Sequence, residues 1–197
     1  MPRKSDHSQQ SWRSLKSETL YAVEQLRNQL AAPKESVQDI VDTYLVAKRA
    51  LAESMQALLR ESLPESCPTF HDLREQLGRE LSRRYGGLIP EKYLKVPYGS
   101  RVHEELFTIL LNHQGTPVPA MMLRIISADS VHTERRMREL RELGLDIVAA
   151  KSQGIDVYTL QSLEIDLSLL PSIPKNLISQ DKGLRKEERE ALIYRLG

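Results

Sequence analysis

The sequence predicts a mainly α protein, with an N-terminal helical region followed by a winged helix-turn-helix that carries a two-stranded β-hairpin wing. Three observations carry that expectation. Apolar residues recur at helical spacing from Trp12 to Leu81. The stretch DSVHTERRMRELRELG, from Asp129 to Gly144, sets a polar start before an arginine-rich helical period and closes on glycine. LDIVAA and IDVYTL then flank KSQG, and β-branched residues around a central glycine read as a hairpin.

The elements follow in order. Trp12, Leu15, Ala22, Leu26 and Leu30 form the seam of a first helix that Pro33 interrupts. A second helix starts at Ser36, and Val37, Tyr44, Leu51 and Leu58 recur every seven positions along it. Such a stripe has to be covered, either by the chain's own core, as in a helical hairpin, or by another subunit. Thr69 offers an N-cap to a third helix striped by Phe70, Leu73, Leu77 and Leu81 and ended by Gly86-Gly87. LIPEKYLKVPYG, from Leu88 to Gly99, reads as a connector.

Ser100 can cap a helix that lines one face with Val102, Leu106, Ile109 and Leu110 and turns at Gly115. After TPVP a short helix, AMMLRIIS, offers Met121 or Met122, Ile125 and Ile126 to the core, and Asp129 or Ser130 can cap the arginine helix. Beyond the hairpin come Pro171 and Pro174, a polar SQDKG, and an amphipathic helix LRKEEREALIYRLG. These patterns divide the chain into a helical region at 1–99, a winged helix-turn-helix at 100–163, and a linker with a lead-in helix at 164–197.

Composition narrows the function. A 197-residue chain with 40% hydrophobic and 28% charged residues reads as globular, and a net charge of +1 requires any polyanion-binding surface to be local. Cys67 is the only cysteine, which excludes an intrachain disulfide or a thiolate zinc cluster. No apolar run is long enough to span a bilayer and no signal peptide follows the polar start, so a cytoplasmic, membrane-free location is expected. The chain lacks a phosphate-binding glycine loop, a nucleophile elbow and histidines at zinc-ligand spacing, so no catalytic residues, metal ligands or cofactor are expected within it.

The arginine helix is where chemistry concentrates. On a helical wheel Thr133, Met137, Leu140 and Gly144 share the core side, while His132, Arg135, Arg136 and Glu139 share the other, with Val131 and Glu142 at its margins. In a helix-turn-helix the outward face reaches base edges in the major groove, where arginine can bind guanine and histidine can donate to an acceptor. Lys151 at the wing tip and Arg124 on the preceding helix are candidates for phosphate contacts. The DNA-binding set is therefore Ser130, Val131, His132, Thr133, Arg135, Arg136, Glu139, Arg124, Lys151 and Arg101. The same alternation of arginine and glutamate also suits a solvated, salt-bridged helix.

The segment GTPVPAMMLRIISADSVHTERRMRELRELGLDI resembles a winged-helix segment that precedes the nuclease domain in many HNH endonucleases. The matching parts are Gly115, Val118, Arg135, Arg136, Arg138, Leu140, Arg141, Gly144 and Ile147. In domain order and length the chain looks most like the BisI-like, modification-dependent HNH restriction endonucleases. That resemblance implies a double-stranded DNA partner, 5-methylcytosine sensing in a GCNGC-like palindrome without base flipping, and action as a homodimer. It also implies that His132-Thr133, or Arg101-Val102, reads methyl groups. LRKEEREALIYRLG looks like the helix such proteins place before their HNH module, so this chain is expected to be an N-terminal recognition domain. A divalent metal would belong to the nuclease domain that it lacks. Two other readings stay open, a winged-helix transcriptional regulator of unmodified operator DNA and a protein-interaction module.

Overall fold

The computed structural model describes residues 11–32, 36–129 and 132–197. The described chain is mainly helical, with one small antiparallel sheet, and divides into two compact units. Of the described residues, the first unit holds 11–32, 36–64 and 121–129, the second 65–120 and 132–197.

In the first unit, α1 (Trp12–Ala31) and α2 (Val37–Glu61) pack as a helical hairpin. Ser11 and Ser36 cap them, each accepting a backbone N–H three residues on, as their position before the first apolar residue requires. Few side chains are covered. Thr19 and Ala22 are buried on α1 and Ala47 and Ser54 on α2, while the heptad residues Val37, Tyr44, Leu51 and Leu58 stay 40–80% exposed.

α5 (Ala120–Ile126) belongs to this unit from Met121 onward, and Gln56 of α2 donates to the Ile126 carbonyl at 2.7 Å. The core candidates on α5 need correction: Leu123 and Ile126 are fully buried, whereas Met121 is 68% and Ile125 37% exposed. An apolar groove of about 610 Å³ runs beside them, walled by Tyr44, Leu51, Met55, Met122 and Ile125.

The second unit has the denser core. α3 (Pro68–Tyr85) begins earlier than the expected cap at Thr69 allows, with Cys67 as N-cap and Pro68 at the first helical position, where a missing N–H costs nothing. Cys67 is a free cysteine with its side chain buried, and Glu104 accepts its backbone N–H at 2.6 Å. Phe70, Leu73, Leu77, Leu81 and Tyr85 make the buried stripe. The connector folds into a 3-10 turn, Glu91–Tyr93, with Ile89 and Tyr93 buried. α4 (Arg101–Asn112) buries Leu106, Phe107, Ile109 and Leu110.

β1 (Val118–Pro119), β2 (Leu145–Ser152) and β3 (Ile155–Ile165) form the antiparallel sheet in the order β1-β3-β2. The β2–β3 hairpin is the wing that the sequence predicts. Its turn is Gln153-Gly154, with φ of 51° and 79°, and positive φ at both central residues matches the right-handed twist of the strands. The strand β1 was not expected; TPVP supplies it because Val118 pairs with Tyr158 at the free edge of β3.

α6 (Thr133–Glu142) precedes the hairpin, and Gly144 between them has φ +84°. A side chain there would meet the Asp166 carbonyl at 2.7 Å, so glycine is required by crowding as well as by conformation. α7 (Ser172–Gln180) carries Pro174 in its first turn, where proline is tolerated, and α8 (Lys186–Tyr194) supplies the expected last helix.

Candidate nucleic-acid interface

α6 starts later than its sequence suggests. Its N-cap is His132, which makes no side-chain capping bond, and Asp129 instead pairs with Lys48 at 3.3 Å from left-handed backbone with φ 57°. Ser130 and Val131 lie outside the described residues.

The helical wheel is right about the core side and wrong about one residue opposite it. Thr133, Met137 and Leu140 are buried as expected. Glu139, expected on the outward face, is also buried, with its side chain only 5% exposed. The reason lies on α4: His103, itself 3% exposed, reaches across and sets Nε2 2.8 Å from Glu139 Oε2.

Two arginines close over the same carboxylate. Arg136 Nη1 donates to Oε2 at 2.8 Å and Arg135 Nε donates to Oε1 at 2.9 Å. A buried carboxylate needs this many donors, because desolvation otherwise drives it toward the neutral form. Here burial pulls the Glu139 pKa up, but the hydrogen bonds from His103, Arg136 and Arg135 outweigh it and leave the carboxyl below its ordinary value.

His103 shifts down, chiefly because burial penalises its charged form, with Arg136 and Arg74 adding repulsion against the pull of Glu139. A neutral ring suits both neighbours. Nε2–H donates to Glu139, and Nδ1 accepts the Ser100 hydroxyl at 2.7 Å. The Ser100 side chain is therefore spent on His103 and not on capping α4.

The consequence for the surface is an oriented cationic edge. Arg135 is held by Nε, so its Nη1 and Nη2 remain for other acceptors, and its side chain is 62% exposed. Arg138 is similarly exposed and lies 3.6 Å from Glu142, which also accepts the Tyr98 hydroxyl at 2.8 Å. Desolvation and that carboxylate push the Tyr98 pKa up to about 12, so the phenol stays a donor.

The remaining candidates are dispersed. His132 is exposed, and Thr133 is 1% exposed, so its methyl does not face solvent. Arg101 is exposed on α4 and pairs with Glu105 at 2.8 Å. Lys151, near the hairpin turn, is 75% exposed and 4.0 Å from Asp156. Arg124 is half-buried on α5, in the first unit. Sequence reading missed His103 and Tyr98, neither of which has a local pattern that distinguishes it.

Among the described residues, no group of three or more His, Cys, Asp or Glu side chains is arranged to hold a metal ion. No described helix is long and apolar enough to cross a membrane.

Residues 103–166, about a third of the chain, match the family model described as the KpnI N-terminal domain, consistent with the N-terminal region of a restriction endonuclease. The matched span contains nearly all of α4 and the whole of α6 and the hairpin. No curated protein and no solved structure matches the chain.

Proposed function

We propose that this chain recognises double-stranded DNA on behalf of a restriction endonuclease, with α6 as the reading helix and the β2–β3 hairpin as a phosphate-contacting wing. The observation that carries the reading is the pair of guanidinium groups braced by buried Glu139, inside the segment that matches the KpnI N-terminal domain. A guanidinium fixed through Nε keeps its terminal fork for a guanine edge or a phosphate and loses less rotamer freedom on binding.

The finer reading is a cytosine-methylated, GCNGC-like palindrome recognised without base flipping, with cutting assigned to an HNH module of the parent protein. Its support in this chain is His132, exposed at the start of α6. Burying one methyl contributes about 0.8 kcal/mol, roughly fourfold in affinity, so useful selectivity needs several methyls per site. A homodimer on a palindrome would supply them, and the uncovered heptad face of α2 supports such a dimer.

Fluorescence anisotropy with unmodified, methylated and scrambled duplexes at two salt concentrations tests this. Binding that weakens with salt, and weakens further in Arg135→Ala/Arg136→Ala, is expected. Tighter binding to the methylated site marks a modification reader, and absence of duplex binding at low salt refutes the DNA reading. Sedimentation of the free protein tests the dimer.

A further inference from the structure

We propose that the groove between α3 and the connector following it is a second phosphate-binding surface for the same duplex. This rests on the DNA reading above. The groove is open, about 980 Å³, and is lined by Arg74, Arg79, Arg83 and Lys95 against one carboxylate, Glu75. A net charge of +1 for the whole chain makes such a local excess notable, since a polyanion surface has to be concentrated somewhere.

The four cations have different tasks. Arg74 donates to the carbonyls of Val96 and Pro97 and lies over the Phe70 ring at 5.6 Å, so it fastens the connector to α3 and forms the back of the groove. Arg79 and Arg83 are 65% and 66% exposed; the Arg79 pair with Glu75 lies in solvent, whereas Arg83 is held through Nε and Nη2 by the half-buried Glu80 and turns its remaining Nη1 outward. An exposed pair such as Arg79–Glu75 is weak, so a phosphate oxygen can replace that carboxylate at little cost, while Arg83 keeps Glu80 and offers its remaining nitrogen. Lys95 is exposed and makes no ion pair among the described residues.

The connector that walls the groove runs on to the arginine edge of α6. Val96 and Pro97 hold Arg74 of α3, and the next residue, Tyr98, bonds Glu142 of α6 and sets its ring 5.8 Å from His103. Tyr98 does so from φ 59°, a conformation a bulky side chain adopts only when its surroundings hold it there. The connector is thus a strap between two cationic surfaces. One of them is suited to base edges, and the other, lacking a recognition helix entering from its end, to the sequence-independent backbone.

The test compares Arg79→Ala/Arg83→Ala/Lys95→Ala with a charge-matched control on α1, Arg13→Ala/Lys16→Ala/Arg27→Ala, by duplex anisotropy across a salt series. Each lost phosphate contact lowers the slope of log K against log salt by about 0.9. The groove variant should therefore lose about 2 to 3 from the slope and at least roughly tenfold in affinity, equally on specific and scrambled duplexes. Lys95→Glu alone, which disturbs no bonded partner, should weaken binding in the same sense. An unchanged slope in both groove variants, or an equal loss in the control, overturns the groove while leaving the α6 reading intact. Failure of the unmodified protein to bind any duplex overturns both.

Discussion

α2 and α4 are both amphipathic, yet they end in different circumstances. α2 is 25 residues long and buries only Ala47 and Ser54, whereas α4, at 12 residues, buries His103, Glu105, Leu106, Phe107, Thr108, Ile109 and Leu110. The first has apolar residues exposed along a heptad; the second has polar residues buried among the apolar ones. A stripe in the sequence says that a face wants covering, and says nothing of whether the chain itself covers it. It is equally silent on a buried polar residue, which is tolerated only where another element brings its partner.

The largest break in this comparison comes from the two apolar faces. Phe107→Ala removes a fully buried ring and should cost about 3–5 kcal/mol, while Leu51→Ala, 40% exposed, should cost less than about 1 kcal/mol in the monomer. Urea unfolding of both variants checks this. Similar losses would mean that α2 is as well covered in solution as α4.

Next in size is the polar bond between α4 and α6. Glu139→Ala leaves His103 and Arg136 facing an empty buried site and should destabilise by about 3 kcal/mol, the low end for a broken buried pair because the arginines reach solvent. Glu139→Gln, which keeps the shape and one acceptor, should recover part of that loss. Equal unfolding midpoints for wild type and Glu139→Ala would show that the carboxylate holds nothing.

The smallest effect is in pH. His103 has a folded pKa below its ordinary 6.5, so the unfolded state takes up its proton first on acidification. Its contribution is complete above about pH 6.5 and is lost as pH falls through the lowered value; Glu139, also shifted down, adds a loss of the same sign at more acid pH. Stability should therefore fall from about pH 7 to 5, and His103→Gln should flatten that part of the curve. A wild-type profile that is level, or that rises on acidification, contradicts the neutral assignment. Groups around the ring that could modify the curve are Glu139, Arg136, Arg74 and Tyr98.

Much of the fold was legible from local pattern. The serine cap at Ser36, the glycine end of α3, the core side of α6 and the hairpin around Gly154 follow from backbone chemistry within a few residues, whereas the Ser100 hydroxyl went to His103. The candidate site was legible only in part. Arg135 and Arg136 were visible as an arginine run, but Glu139 was assigned to the wrong side. A helical wheel orders residues about one axis and has no term for a second helix on its flank.

By itself, then, the sequence determined most of the helical segments, though not every boundary, and that a hairpin follows the arginine helix, because those choices are made largely by hydrogen bonds and side chains close in the chain. Only the tertiary structure decided that His103, 36 residues before Glu139, would bury that carboxylate, and that Tyr98 would strap α3's groove to α6. The physical reason is that a buried charge is settled by the donors that surround it in space, and those are contributed by residues distant in sequence.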